Sequence, residues 1–251
     1  MIKLHSYFTY TALLVACLFM PIQGFSLEKA QTEKRNVLKE KIISLAETNT
    51  TKTDNFKEIR SGLEKLIGDL MTEPSRPEVN LEAKYGAWQL IWTDDTEDLK
   101  VNNFFMTADR ERSFQVILPE NVLYNFSEIK TLVGRYSAIL KAVYESEKKN
   151  INLEFTTADF LSGDLGPAQN FVELTTRKEA GKLDTFKIPF VSDKYPDGPV
   201  GAKGYTKTIY IDSELRIDTG ANSADNIVDL FIYKKVDNFE PQAQPEKQKK
   251  N

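Results

Sequence analysis

From Tyr85 onward the chain breaks into short runs of β-forming residues separated by turn residues, with no helical pattern between them. The runs are Ala87–Trp92, Asn103–Thr107, Phe114–Leu118, Val122–Phe126, Tyr136–Tyr144, Ile151–Thr156, Phe171–Thr176, Thr185–Val191, Lys207–Asp212, Leu215–Asp218 and Ile227–Lys235. Several alternate: Leu153 and Phe155 oppose Asn152 and Glu154, and Leu230 and Ile232 oppose Asp229 and Tyr233. A succession of short strands without crossover helices predicts an antiparallel sheet, closed on itself or folded into two layers. Closure into a barrel is the more economical solution, because it leaves no strand edge unpaired.

Before this region lie two helical patterns. Val37, Leu38, Ile42, Leu45 and Ala46 form one stripe, and Ile59, Leu63, Leu66, Ile67, Leu70 and Met71 form another. They predict helices over 28–47 and 54–72, the second capped by Asp54 or Asn55, with Asn55 and Glu58 at capping-box spacing, and closed by Pro74 and Pro77. One apolar stripe per helix requires a surface to lie on, so a helical segment over 27–75 is expected to pack on a barrel over 85–236 through Leu38, Ile42, Leu63, Leu66 and Leu70.

The first residues read differently. Lys3 precedes an apolar run from Tyr7 to Met20, Pro21 breaks it, and small residues follow near Gly24 and Ser26. That is the layout of a secretory signal peptide over 1–26, and the run falls short of the about 20 apolar residues of a comfortable membrane span. Secreted or periplasmic localisation is expected. Leu14-Val15-Ala16-Cys17 also resembles a lipobox, which would make the protein a membrane-anchored lipoprotein through Cys17. At the other end, residues 240–251 are Gln, Lys and Pro without an apolar anchor, and a disordered tail is expected.

Removal of 1–26 takes away the single histidine, His5, and the single cysteine, Cys17, and leaves a net charge of −5. The remaining chain cannot assemble a Ser-His-Asp triad, a cysteine nucleophile or a His/Cys zinc site. No cofactor or metal is expected. The acidic balance argues against nucleic acid. Carboxylates are the remaining route to catalysis: Asp94, Asp95, Glu97 and Asp98, or Asp212 with Glu214. A carboxylate-based hydrolase would need two of them facing across a cleft, which proximity in sequence does not supply. Asn49-Thr50-Thr51 and Asn125-Phe126-Ser127 match glycosylation sequons, meaningful only in a eukaryotic secretory pathway. The Gly- and Pro-rich stretch Pro196–Gly204 reads either as a flap at a barrel mouth or as a long turn.

Two stretches are the most informative. Gly86-Ala87-Trp88 opens the first strand, with Trp88, Leu90 and Trp92 sharing one face at period two. Near the other end, Tyr210–Gly220 holds two short strands about an Asp-Ser-Glu turn, and Arg216 faces away from Leu215 and Ile217. Arg216 is expected to stack over Trp88 and so to join the two ends of the barrel.

These stretches resemble the plastid lipid-associated proteins, the fibrillins. Tyr85-Gly86-Ala87-Trp88-Gln89-Leu90-Ile91-Trp92-Thr93 is similar to the family's opening segment, LdGxWxLLYT. Tyr210-Ile211-Asp212-Ser213-Glu214-Leu215-Arg216-Ile217-Asp218-Thr219-Gly220 is similar to its closing segment, YLDEDLRISRG, and Leu230-Phe231-Ile232 supplies the last strand. The chain departs from the pattern at Thr219, where the family has a second Arg, and in its secretory rather than plastid-type leader. The resemblance implies a lipocalin-like barrel over roughly 35–236 that binds or coats lipids without catalysis.

The reading is therefore an exported lipid-associated protein that binds or carries a small hydrophobic molecule (lipid, quinone or carotenoid-like), with possible peripheral membrane association. Trp88, Leu90, Trp92, Val116, Leu118, Leu153 and Phe155 are the candidate interior, ligand-binding positions. A non-enzymatic envelope structural or interaction protein with a filled barrel is the alternative, and the carboxylate hydrolase the second.

Overall fold

The computed structural model describes residues 6–50, 55–74, 76–95, 106–131, 134–147, 150–162, 184–186, 200–222 and 227–236. Two helices, α1 (Ser6–Thr48) and α2 (Phe56–Met71), precede nine strands. The strands are β1 (Gly86–Thr93), β2 (Met106–Leu118), β3 (Val122–Thr131), β4 (Gly134–Glu147), β5 (Asn150–Ser162), β6 (Asp184–Phe186), β7 (Lys203–Ile211), β8 (Leu215–Asn222) and β9 (Asp229–Val236).

Pairing runs β4-β3-β2-β1-β9-β8-β7-β5, and β4 pairs with β5. Eight antiparallel strands thus close into a barrel, as the strand pattern predicts, and β6 adds to β5 beyond the ring. Each ring strand neighbours the next in sequence, and the β1–β9 pair closes the circle. The strand carrying Arg216, β8, expected beside β1, is separated from it by β9. Met106 and Thr107 of the predicted run Asn103–Thr107 and the whole run Phe114–Leu118 fall on the single long strand β2, which has a register shift between Asp109 and Ser113, and Asn103–Phe105 lie outside the described residues. The runs Phe171–Thr176 and most of Thr185–Val191, and the tail 240–251, lie outside the described residues.

The helices lie against the outside of β1, β9, β8 and β7. Leu38, Ile42, Leu63, Ile67 and Leu70 are buried in one cluster with Trp92, Tyr210, Leu215, Ile217 and Ile232, and Leu66 packs against it. Burial of each such side chain contributes roughly 1.5–3 kcal/mol. Helix α1 begins earlier than its stripe predicts, and its backbone is continuous from Ser6. Asn55 does not form the expected capping box. It sits in the left-handed region at φ 66° with no side-chain cap bond, and its carbonyl accepts from the backbone N–H of Glu58 and Ile59 instead. Among the described residues, no helix is long and apolar enough to cross a membrane.

After α2 the chain crosses beneath one end of the barrel. Val79 packs against Trp88, and Leu81 and Tyr85 pack against the cluster of Ile117, Leu123, Ala142, Tyr144, Ile151 and Leu153. A 3-10 turn, Glu82–Lys84, leads into β1. Residues 79–85 thereby plug this end, which is also the end of the 119–121 and 212–214 turns.

Candidate binding site in the barrel

Register decides which side chains face inward. Directly opposite residues of an antiparallel pair share a face. Trp88 is opposite Gln115 and Lys235, Gln115 is opposite Asn125, and Tyr233 is opposite Leu90 and Arg216. Arg216 Nη2 donates to Gln115 Oε1 although β8 and β2 are three strand places apart, about 14 Å along a sheet. Only the concave side permits that reach, so this row lines the interior.

The interior beside the plug is a polar floor built around Trp88. The indole is fully buried, and its Nε1 donates to the Lys84 carbonyl at 2.8 Å. The Arg216 guanidinium carbon lies 5.0 Å from the Trp88 centroid and 4.0 Å from that of Tyr233, within the about 6 Å reach of a cation–π contact. Lys235 Nζ is 4.3 Å from the Trp88 centroid and donates to the Tyr85 carbonyl. Gly86 makes this approach possible. Its φ is 105°, and a Cβ there would stand 2.6 Å from Lys235 Nζ.

Arg216 Nε lies 3.2 Å from Asp218 Oδ2, and Thr208 Oγ1 donates to Asp218 Oδ1 at 2.7 Å. Gln115 Nε2 donates to Asn125 Oδ1 at 3.1 Å, which orients its oxygen toward Arg216. Lys84 is fully buried, and burial pushes its amine down to about 8; nearby Arg216 pushes the same way and Asp218 opposes. Higher on the wall, Ser113 Oγ and Ser127 Oγ stand 3.3 Å apart. The wall contributed by β2 and β3 is thus polar over Ser113, Gln115, Asn125 and Ser127.

Of the candidate interior residues, Trp88, Leu90, Leu153 and Phe155 lie on the inner face. Trp92, Val116 and Leu118 do not, which corrects the expected lining. A register shift between Leu90 and Trp92 turns Trp92 to the outside, where it meets Phe56 of α2 edge-on at 6.1 Å. Val116 is opposite Ala87 and Tyr124 and belongs to an outer apolar cluster with Phe114, Phe126 and Ile139, against which Leu118 packs. Assigning the apolar set of β2 to the interior fails because both faces of this strand are buried. Lys84, Gln115, Asp218, Tyr233 and Lys235 escaped the sequence reading. Asp218 was within reach of it, two residues beyond Arg216 and so on the same face.

The carboxylate clusters hold structure together. Asp94 pairs with Arg60 and accepts from the Leu230 backbone N–H. Burial alone would raise the Asp212 carboxyl. Lys39 at 2.7 Å, the backbone N–H groups of Glu214 and Leu215, and the Tyr210 hydroxyl together hold it below the usual range. Asp94 and Asp212 thus stand on opposite ends of the strands they flank, and Glu97 and Asp98 lie outside the described residues.

The PAP_fibrillin family profile matches residues 32–229. The chain belongs to the PAP_fibrillin family. The match spans α1 from its amphipathic part, α2, the plug and the strands up to the start of β9, and so takes in both Trp88 and Arg216. Membership and the closed barrel are consistent with a lipid-associated protein. No curated protein matches the chain significantly.

Proposed function

We propose that this PAP_fibrillin protein is exported and carries a small hydrophobic molecule in its barrel without catalysing a reaction on it. Family membership supports lipid association, and the pattern of residues 1–26 supports export. The observation that carries the reading is a closed barrel stoppered at one end by residues 79–85. Around Leu90, Phe155 and Phe231 the inner wall is apolar, while Arg216, Gln115 and Asp218 place polar groups at the base that would orient a guest. The filled floor, with Trp88 and Arg216 wholly buried, favours a second reading as an envelope structural or interaction protein.

Native mass spectrometry of protein purified from its own source, followed by lipid extraction, separates the two. A carrier releases a discrete lipid in stoichiometric amount. Protein that is lipid-free, and that takes up none from vesicles, rules out the carrier. The same sample reports processing: the carrier reading expects a mature N-terminus between Phe25 and Lys29, and an acylated Cys17 would make it a lipoprotein.

A further inference from the structure

Within the carrier reading, we infer that the barrel floor is an anion site that takes the acidic head, carboxylate or phosphate, of a single-chain amphiphile, with Arg216 as the contact residue. Arg216 is fully buried, yet its Nη1 has no hydrogen-bond partner among the described residues. An unanswered guanidinium N–H in a buried place costs stability unless something accepts from it. The rest of the group is fixed: Nη2 on Gln115, Nε beside Asp218, and the plane against Tyr233 and Trp88. The free N–H is therefore held in one direction.

The surrounding charge favours an anion. Lys235 Nζ stands over the Trp88 indole and the Lys84 amine lies near enough to Arg216 and Asp218 to feel both, against one floor carboxylate, Asp218, among the described residues. Asp229 shares the inner face of β9 but stands six residues from Lys235, about 20 Å along the strand. A planar guanidinium suits the paired oxygens of a carboxylate or phosphate. An acyl tail rising from this head would run past Leu90 and Phe231, away from residues 79–85. A neutral carotenoid or hydrocarbon would leave the Arg216 N–H unanswered.

The test is titration calorimetry of the purified, delipidated protein with oleate, 1-oleoyl lysophosphatidate and methyl oleate, each below its micellar concentration. At least one acid should bind tenfold or more tightly than the ester, and whichever acid binds more tightly identifies the head as carboxylate or phosphate. Equal affinity for ester and acids overturns the anion site and leaves the carrier standing. No binding of any probe overturns both. In Arg216→Gln, shown folded by circular dichroism, the preference for acid should fall to near unity with the ester unchanged. Lys84→Met, which leaves Arg216 in place, should reduce the preference by a smaller factor, and an undiminished preference in both variants overturns the assignment.

Discussion

Trp88 and Trp92 stand four residues apart on β1, are both buried, and occupy opposite faces of the same strand. Trp88 lies among ions: its N–H is bonded to the Lys84 carbonyl, and Arg216 and Lys235 sit against its ring. Trp92 lies among hydrocarbon beneath α1 and α2, and its Nε1 has no hydrogen-bond partner among the described residues. Around Trp88 the inner face buries polar groups, while around Trp92 the outer face under the helices buries apolar ones. Apolar packing and a polar network thus occupy different sides of β1, and each side can be perturbed separately.

The largest effect should follow deletion of residues 27–75. This uncovers Trp92, Tyr210, Leu215, Ile217 and Ile232 together, and the remaining barrel should lose cooperative melting by circular dichroism. A truncated protein that melts like the whole would make the helices an appendage. Next comes Trp92→Ala, which empties a well-packed outer site and should cost about 3–5 kcal/mol in urea unfolding. A cost under about 1 kcal/mol would contradict the packing described.

On the inner face, Arg216→Ala strips Asp218 of its buried partner and should cost about 3 kcal/mol. Made in a Trp88→Phe background, the loss should shrink by about 0.5–2 kcal/mol, since touching residues do not act additively. A cycle with no coupling would remove the contact from the account. Smallest is Lys84, which reports by pH. Its folded amine lies near 8, below the ordinary 10.5, so the unfolded chain holds more protons between those values. Wild type should therefore gain stability relative to Lys84→Met as pH rises from 8 to 10.5. A decline across that window would mean that attraction to Asp218 outweighs burial.

The comparison also marks where the sequence stops being readable. The meander, both helical stripes and the meeting of Trp88 with Arg216 follow from periodicity and from two short motifs. The face of Trp92 does not, because a register shift after Leu90 breaks the period of two without leaving a glycine or proline to signal it. Val116 and Leu118 mislead for another reason. In β2 Phe114, Val116 and Leu118 point outward into their own buried cluster, while Ser113 and Gln115 point in beside Ile117, so apolar character does not mark the interior. The polar floor itself is assembled from residues as distant as Lys84 and Asp218, and only closure of the β1–β9 pair brings them together.

The most direct test of this division places one fluorophore on each side of β1. Trp92→Phe leaves Trp88 as the only tryptophan and should fold well, because it removes an indole N–H that has no partner among the described residues. Trp88→Phe leaves Trp92 alone. On titration with oleate or 1-oleoyl lysophosphatidate, Trp88 emission should shift saturably while Trp92 emission stays constant. A response from Trp92 with Trp88 silent would put the guest beneath the helices and contradict the account.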